Sequence, residues 1–223
     1  MCRVRGLSSF SACSRMSSWV LMAAIVSGGC ARLPYTTQVV HEDRRVVVVL
    51  QREPRPVPYS HPTELQANEV AAILAGYSFR EKQRLPLRWY AEEVPPKAIF
   101  RPDELQTLVP HVVEALKKAA PDERVYFQVL APGMNPAYER DTTAGWIALS
   151  GPYFHLILEH FHAQFPVRRE EPWDLRYPAL PPEPGTYLLY FEPGRFWGVD
   201  PVTDRASVQF REFLKSPIPA LRK

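Results

Sequence analysis

Residues 146–158 read Trp-Ile-Ala-Leu-Ser-Gly-Pro-Tyr-Phe-His-Leu-Ile-Leu, which places two apolar runs on either side of a serine, a glycine and a proline. Gly and Pro favour a tight turn, and apolar runs rich in aromatic and β-branched residues favour strands. We therefore predict an antiparallel hairpin with strands over 146–149 and 154–158 and its turn at Ser150-Gly151-Pro152.

Other segments on both sides of this hairpin also have strand patterns. Residues 37–40 and 45–50 flank the polar stretch 41–44 and predict an N-terminal hairpin. The run 46–50 is apolar at every position, which predicts a strand covered on both faces. Residues 124–130 alternate weakly between polar and apolar side chains, which predicts a strand. The apolar residues at 85, 87 and 89 predict another, half-buried strand. A second C-terminal hairpin is expected over 186–191 and 195–199, through 192–194.

Three helices are expected. The first begins at Thr63 as N-cap and ends at Gly76. The second enters at Pro102 and carries apolar residues at the helical period as far as Leu116, with Pro110 expected to kink or divide it. The third runs from Thr203 or Asp204 through residue 215. Helices followed by hairpins predict an α+β fold: an antiparallel sheet with two or three helices on one face, proline-rich loops and an N-terminal hairpin.

Proline marks the boundaries between these parts. All 24 prolines follow residue 33; four lie in 52–62 and six lie in 166–184. We expect a semi-rigid connector at the first cluster and a long irregular loop at the second. The predicted organisation has three parts: a signal segment over 1–29, a tether with the N-terminal hairpin and connector over 30–61, and an α+β domain over 62–223.

The first 29 residues have the three parts of a secretory signal. They contain three arginines and no acidic residue, then eight apolar residues at 19–26, then the small residues Ser27, Gly28 and Gly29. A membrane-spanning helix needs about 20 apolar residues, so the apolar run is too short to span a bilayer.

This segment resembles the lipobox of bacterial lipoproteins at Gly28, Gly29 and Cys30, with Ser27 where that family usually has Leu. The resemblance covers the first 30 residues. It implies that a diacylglycerol is attached to the Cys30 thiol, that the chain is cleaved between Gly29 and Cys30, and that acyl chains such as palmitate anchor it. Ala31 stands where Asp would favour inner-membrane retention, which implies the outer membrane, facing the periplasm. An ordinary N-terminal helix and a signal peptide cleaved elsewhere are the alternatives.

The cysteine and charge content limits the function of the processed chain. The three cysteines, Cys2, Cys13 and Cys30, all lie in the first thirty residues, so the processed chain can form no internal disulfide. The formal charge of +3 comes from Arg3, Arg5 and Arg15; residues 30–223 hold 24 basic and 24 acidic residues. This balance gives no electrostatic footprint for nucleic acid.

Catalytic motifs are not evident in the sequence. The serines after residue 30 lie outside any G-x-S-x-G motif, and the glycines are too scattered to form a phosphate-binding loop, so we predict no cofactor. His155, Glu159, His160 and His162 fall within eight residues. On a strand, His160 and His162 would share a face; on a helix, His155, Glu159 and His162 would. We favour a structural role for these histidines over a metal site.

Aromatic residues are concentrated near the C-terminus, and residues 146–197 hold twelve of them. Most are expected in the core. Trp173 and Tyr177 lie in the proline-rich loop among arginines, a composition typical of binding surfaces. These two residues are therefore our candidate binding residues.

The sequence thus predicts a lipid-anchored cell-envelope lipoprotein with a non-enzymatic structural, assembly or partner-binding role. Its expected partners are the membrane, through the N-terminal lipid, and an envelope protein. One alternative is a periplasmic enzyme or metal-binding protein that uses His155, His160 and His162. Another is a carrier that holds a small ligand in an aromatic pocket.

Overall fold

The computed structural model describes residues 35–53, 57–80, 96–166 and 187–216. These segments form an α+β fold of two antiparallel sheets and three helices, which confirms the predicted class. The strands are β1 (Tyr35–Glu42), β2 (Val46–Arg52), β3 (Tyr77–Arg80), β4 (Lys97–Ala98), β5 (Glu123–Pro132), β6 (Glu139–Ser150), β7 (Tyr153–Pro166), β8 (Leu188–Phe191), β9 (Trp197–Asp200) and β10 (Arg205–Gln209). The helices are α1 (Ala67–Gly76), α2 (Pro102–Lys118) and α3 (Phe210–Lys215).

Seven strands form the main sheet in the order β1-β2-β5-β6-β7-β10-β9, and the other three form a small sheet in the order β4-β3-β8. The N-terminal hairpin of β1 and β2 is therefore one edge of the main sheet. Its turn is fixed by Asp43, whose carboxylate accepts hydrogen bonds at 2.7 Å from the N–H groups of both Arg45 and Val46. Val46, Val48, Val49 and Leu50 are buried, which largely agrees with the expectation of a covered strand.

The hairpin of residues 146–158 is confirmed, although its strands are longer than predicted. β6 and β7 pair from Ser150 opposite Tyr153 to Glu139 opposite Pro166. Gly151 occupies the turn with a φ of +56°, a left-handed conformation that glycine adopts without cost. The register shifts between Thr142 and Gly145, so the pair carries a bulge near its middle.

The first two helices differ from the prediction at particular residues. α1 begins at Ala67 and not at Thr63, because the Thr63 hydroxyl donates to the Ser60 carbonyl and its N–H donates to Leu116. The Glu69 carboxylate accepts the N–H of Gln66 at 2.7 Å and closes the helix start there. α2 runs unbroken through Pro110, so the predicted division is wrong. The Pro110 side chain is exposed, and the buried face of the helix continues past it.

The C-terminal predictions need two corrections. Residues 186–199 do not form a hairpin, because β8 pairs with β3 in the small sheet whereas β9 pairs with β10 in the main sheet. A 3-10 turn over Gly194–Phe196 separates them. The third helix does not begin at Thr203 or Asp204: residues 205–209 form the strand β10, and α3 begins at Phe210.

The two faces of the main sheet have different coverings. Alternate residues of β2, β5, β6, β7 and β10 pack with α1, α2 and α3 in one large core cluster. The opposite face holds a smaller cluster of Tyr59, Trp146 and Ala148. Successive side chains along a strand point to opposite faces of the sheet. The two-residue period of each strand therefore sets which side chains contact the helices. The predicted strand at 85–89 and most of the loop at 166–184 lie outside the described residues.

Candidate functional site

The residues predicted for lipidation, cleavage and binding all fall outside the described part of the chain. Gly29 and Cys30 precede its first described residue, and Trp173 and Tyr177 lie between β7 and β8. Within the described residues, the candidate chemistry lies in the histidine cluster and in the polar side chains on the second face of the main sheet.

The histidine cluster lies on a strand, β7, and its members have separate partners. His155 contacts Ser207 and Asp200, His160 packs edge-on against the Phe165 ring at 4.9 Å, and His162 contacts Asp141. The bulge in β7 and a φ of +46° at His162 interrupt the simple alternation that the sequence suggested. Among the described residues, no three His, Cys, Asp or Glu side chains form a group that could hold a metal ion.

His155 is the centre of a buried Ser–His–Asp arrangement that the sequence did not reveal. The Ser207 Oγ lies 2.5 Å from the His155 Nδ1, and the His155 Nε2 lies 2.9 Å from the Asp200 Oδ2. These residues come from β10, β7 and β9, which are neighbours in the sheet. Ser207 is 52 positions from His155. No local motif joins them, so a sequence pattern could find this arrangement only through the strand order.

The Asp200 carboxylate is held by contacts to the turn that follows it as well as by His155. It accepts hydrogen bonds from the Val202 N–H at 2.9 Å and from the Thr203 hydroxyl at 2.8 Å. Burial opposes its ionisation, but these hydrogen bonds outweigh that effect and lower the pKa of the carboxyl. Asp200 thereby closes the turn between β9 and β10, where Asp204 has a φ of +52°.

The arrangement lacks the access that nucleophilic catalysis needs. Ser207 and Asp200 are 0% exposed and His155 is 1% exposed. Burial lowers the pKa of His155, although the Asp200 carboxylate acts in the opposite direction, so the imidazole is held neutral. A catalytic serine must present its hydroxyl to a substrate. The geometry instead suits a buried network that joins β7, β9 and β10.

A second polar cluster surrounds Trp146 on the same face. The guanidinium groups of Arg124 and Arg205 lie over its ring at 4.8 Å and 4.9 Å from the ring centre. Arg124 also pairs with the Glu53 carboxylate at 3.2 Å, and Glu53 accepts a hydrogen bond from the Tyr59 hydroxyl. Burial is the main reason that the pKa of Tyr59 rises to about 12. These contacts hold residues 53 and 57–59 against the sheet.

The Asp141–His162 pair is the part of the histidine cluster that reaches solvent. The His162 Nδ1 lies 2.8 Å from the Asp141 Oδ2, and their side chains are partly exposed. The backbone N–H of His162 donates to the Thr143 hydroxyl oxygen at 3.4 Å. A carboxylate that binds one imidazole nitrogen orients the other, but no nucleophile or further ligand joins the pair among the described contacts.

The largest apolar side chains are mostly covered. Of the ten described aromatics between residues 146 and 197, four are buried, five are half-buried, and Tyr190 is exposed at 37%. The four buried rings belong to the two core clusters, and Phe161, Tyr187 and Trp197 pack against the larger one, so most of the described aromatics contribute to the core. Other exposed apolar side chains on the described part of the surface include Tyr35, Met134 and Val202. A small cleft lies elsewhere, at the start of α2 between Arg45 and Arg101.

Within the described segments, no helix has the length and hydropathy to cross a membrane. Comparison of the chain with protein-family models, curated proteins and solved structures found no match.

Proposed function

We propose that this chain is a bacterial cell-envelope lipoprotein, cleaved before Cys30 and anchored by acyl chains on that residue. Its α+β body has a non-enzymatic structural, assembly or partner-binding role. The anchor places it on the outer membrane, facing the periplasm. Its partners are the membrane, through the lipid, and an envelope protein.

The observation that carries the proposal is the segment 19–30, an apolar run followed by Ser27-Gly28-Gly29-Cys30. Cys30 is also the sole cysteine in residues 30–223. A thiol at the first position of the processed chain has no internal partner, which fits an attachment point better than a structural residue. Two or more acyl chains there contribute about 0.8 kcal/mol per buried methylene, enough for a stable anchor.

The geometry of the described residues supports a non-enzymatic role. Among the described residues, the side chains nearest to a catalytic set are those of Ser207, His155 and Asp200. All three are buried. Ser207 contacts His155, and Asp200 accepts a hydrogen bond from the Val202 N–H. Trp173 and Tyr177 remain the proposed contact residues for an envelope protein, because aromatics beside arginines are typical of interface hot spots.

The test is the fractionation of a Cys30→Ser variant produced from the full-length chain. Wild type should pellet with membranes and resist carbonate and high-salt washing, whereas Cys30→Ser should lose its lipid label and any exported protein should become soluble. Cys13→Ser is the matched control, because it removes a thiol and leaves the lipobox unchanged. A Cys30→Ser protein that stays in the washed membranes would refute the proposal.

A further inference from the structure

The proposed anchor would have a short connection to the body. Four residues, 31–34, separate Cys30 from Tyr35, the first residue of β1. Five peptide steps span at most about 18 Å when fully extended. If Cys30 carries the lipid, the Tyr35 end of β1 can never lie farther than this from the acyl chains.

The strand register shows which residues share that end of the main sheet. Tyr35 lies opposite Arg52, and Arg52 lies opposite Glu123. β6 ends at the same edge, where Ser150 faces Tyr153 across the turn. We call this end of the strands, marked by Tyr35, Arg52, Glu123 and Ser150, the anchor end.

The C-terminus of α2 lies at the anchor end as well. Arg52 pairs with Asp122 at 2.6 Å, and Asp122 follows the last residue of α2 by four positions. Lys117 and Lys118 are exposed in the last turn of this helix. Lys118 pairs with the Glu114 carboxylate at 2.6 Å, so Lys117 is the basic side chain offered to the headgroups at this end of the sheet.

The opposite end of the sheet lies far from the tether. From Glu139 to Ser150, β6 makes eleven residue steps, which correspond to about 37 Å at roughly 3.4 Å per residue. Met134, in the turn between β5 and β6, is 87% exposed at this far end. The distance between the two ends is about twice the reach of the tether.

From this reach and register, and resting on the proposed lipidation, we infer that the anchor end lies against the phospholipid headgroups. The turn around Met134 then projects into the periplasm. Tyr35 has the chemistry of a headgroup contact: it is 53% exposed, with an aromatic ring and a hydroxyl 3.5 Å from the Arg52 guanidinium. Exposed Lys117 adds positive charge that attracts phosphate groups. The lipid surface is thus a second contact of the protein, beyond the acyl chains.

Site-specific quenching tests this orientation. Because lipidation consumes the Cys30 thiol, Lys117→Cys or Met134→Cys would carry a unique free thiol for a fluorophore. Purified lipidated variants are placed in phosphatidylcholine vesicles that contain a headgroup nitroxide lipid. The fluorophore at position 117 should lose most of its emission, and the one at position 134 should keep nearly all of it. Equal quenching, or stronger quenching at 134, would overturn the inference.

A longer tether supplies the matched control. Ten Gly and Ser residues inserted after Ala31 add up to about 35 Å of reach, so quenching at 117 should fall towards that at 134. An unchanged difference would show that the tether does not set the orientation. Failure of either thiol variant to pellet with membranes before labelling would instead count against the lipidation itself.

Discussion

His61 is a buried histidine that joins the segment before α1 to the main sheet. Its Nε2 accepts the N–H of Leu149 at 3.4 Å, which requires the neutral imidazole with that nitrogen unprotonated. Burial lowers the pKa of His61 to about 4, against a raising effect from Glu123. Burial also lowers the pKa of His155 and of His160. Buried His61, His155 and His160 therefore act as neutral packing and hydrogen-bonding groups.

This property predicts a loss of stability in mild acid. Below a pH of about 6.5 the unfolded chain binds a proton at His61, but the folded chain does not until about pH 4. Protonation then stabilises the unfolded chain relative to the folded one. The contribution of His61 should therefore lower the free energy of unfolding by about 2 kcal/mol between pH 7 and pH 5. Urea denaturation at several pH values measures the fall.

His61→Gln is the matched variant, because its amide oxygen can accept the Leu149 N–H and it does not titrate. We expect a flatter pH dependence in this variant, with the remaining slope between pH 7 and pH 5 due to the other histidines whose pKa burial lowers, His111, His155 and His160. A slope identical to that of the wild type would show that His61 is protonated equally in the folded and unfolded chains.

At the scale of elements, the β6–β7 pair is the most extensive in the main sheet. The backbones come unusually close at Gly145, where an added Cβ would overlap the carbonyl oxygen of Ile157. The register shift next to this residue brings the Leu158 backbone close as well. Glycine is needed here for close approach, whereas an added Cβ at Gly194 would meet open space.

Gly145→Ala should therefore destabilise the protein by about 3 kcal/mol, because neither backbone can move without breaking ladder hydrogen bonds. Gly194→Ala should change stability by less than about 0.5 kcal/mol. Denaturant midpoints of the two variants give the comparison. Equal effects of the two substitutions would contradict the close approach at Gly145.

The sequence predicts an element well when its signal lies within a few neighbouring residues, and poorly when the element depends on a partner far along the chain. The apolar period of α2 and the Gly151-Pro152 turn are local signals, so the sequence predicts the helix and the turn at nearly the residues where the structure has them. The strand pattern of 186–199 was also local, but its pairing was not. The partner of β8 is β3, more than a hundred residues earlier, and short-range rules cannot provide such a partner. The sequence predicts helix for residues 205–209, but they form β10 because pairing with β9 overrides their weak local preference.

At the scale of the whole molecule, the two faces of the main sheet serve different purposes. One face packs against the helices and carries the hydrophobic core. The other carries polar networks around His155 and Trp146 that tie strands distant in sequence. Such networks are not readable from a sequence, because their members meet only after the strand order is set. The lipobox resemblance, in contrast, is contiguous and needs no fold to be recognised.

The central claim is that Cys30 is the acylated first residue of the processed protein. Mass spectrometry of the N-terminal peptide of protein purified from membranes tests it most directly. We expect a peptide that begins at Cys30 and carries the added mass of a diacylglycerol, with or without a further acyl group on its amine. A peptide that contains Gly28-Gly29 joined to an unmodified Cys30, or one that begins at another residue, would contradict the account.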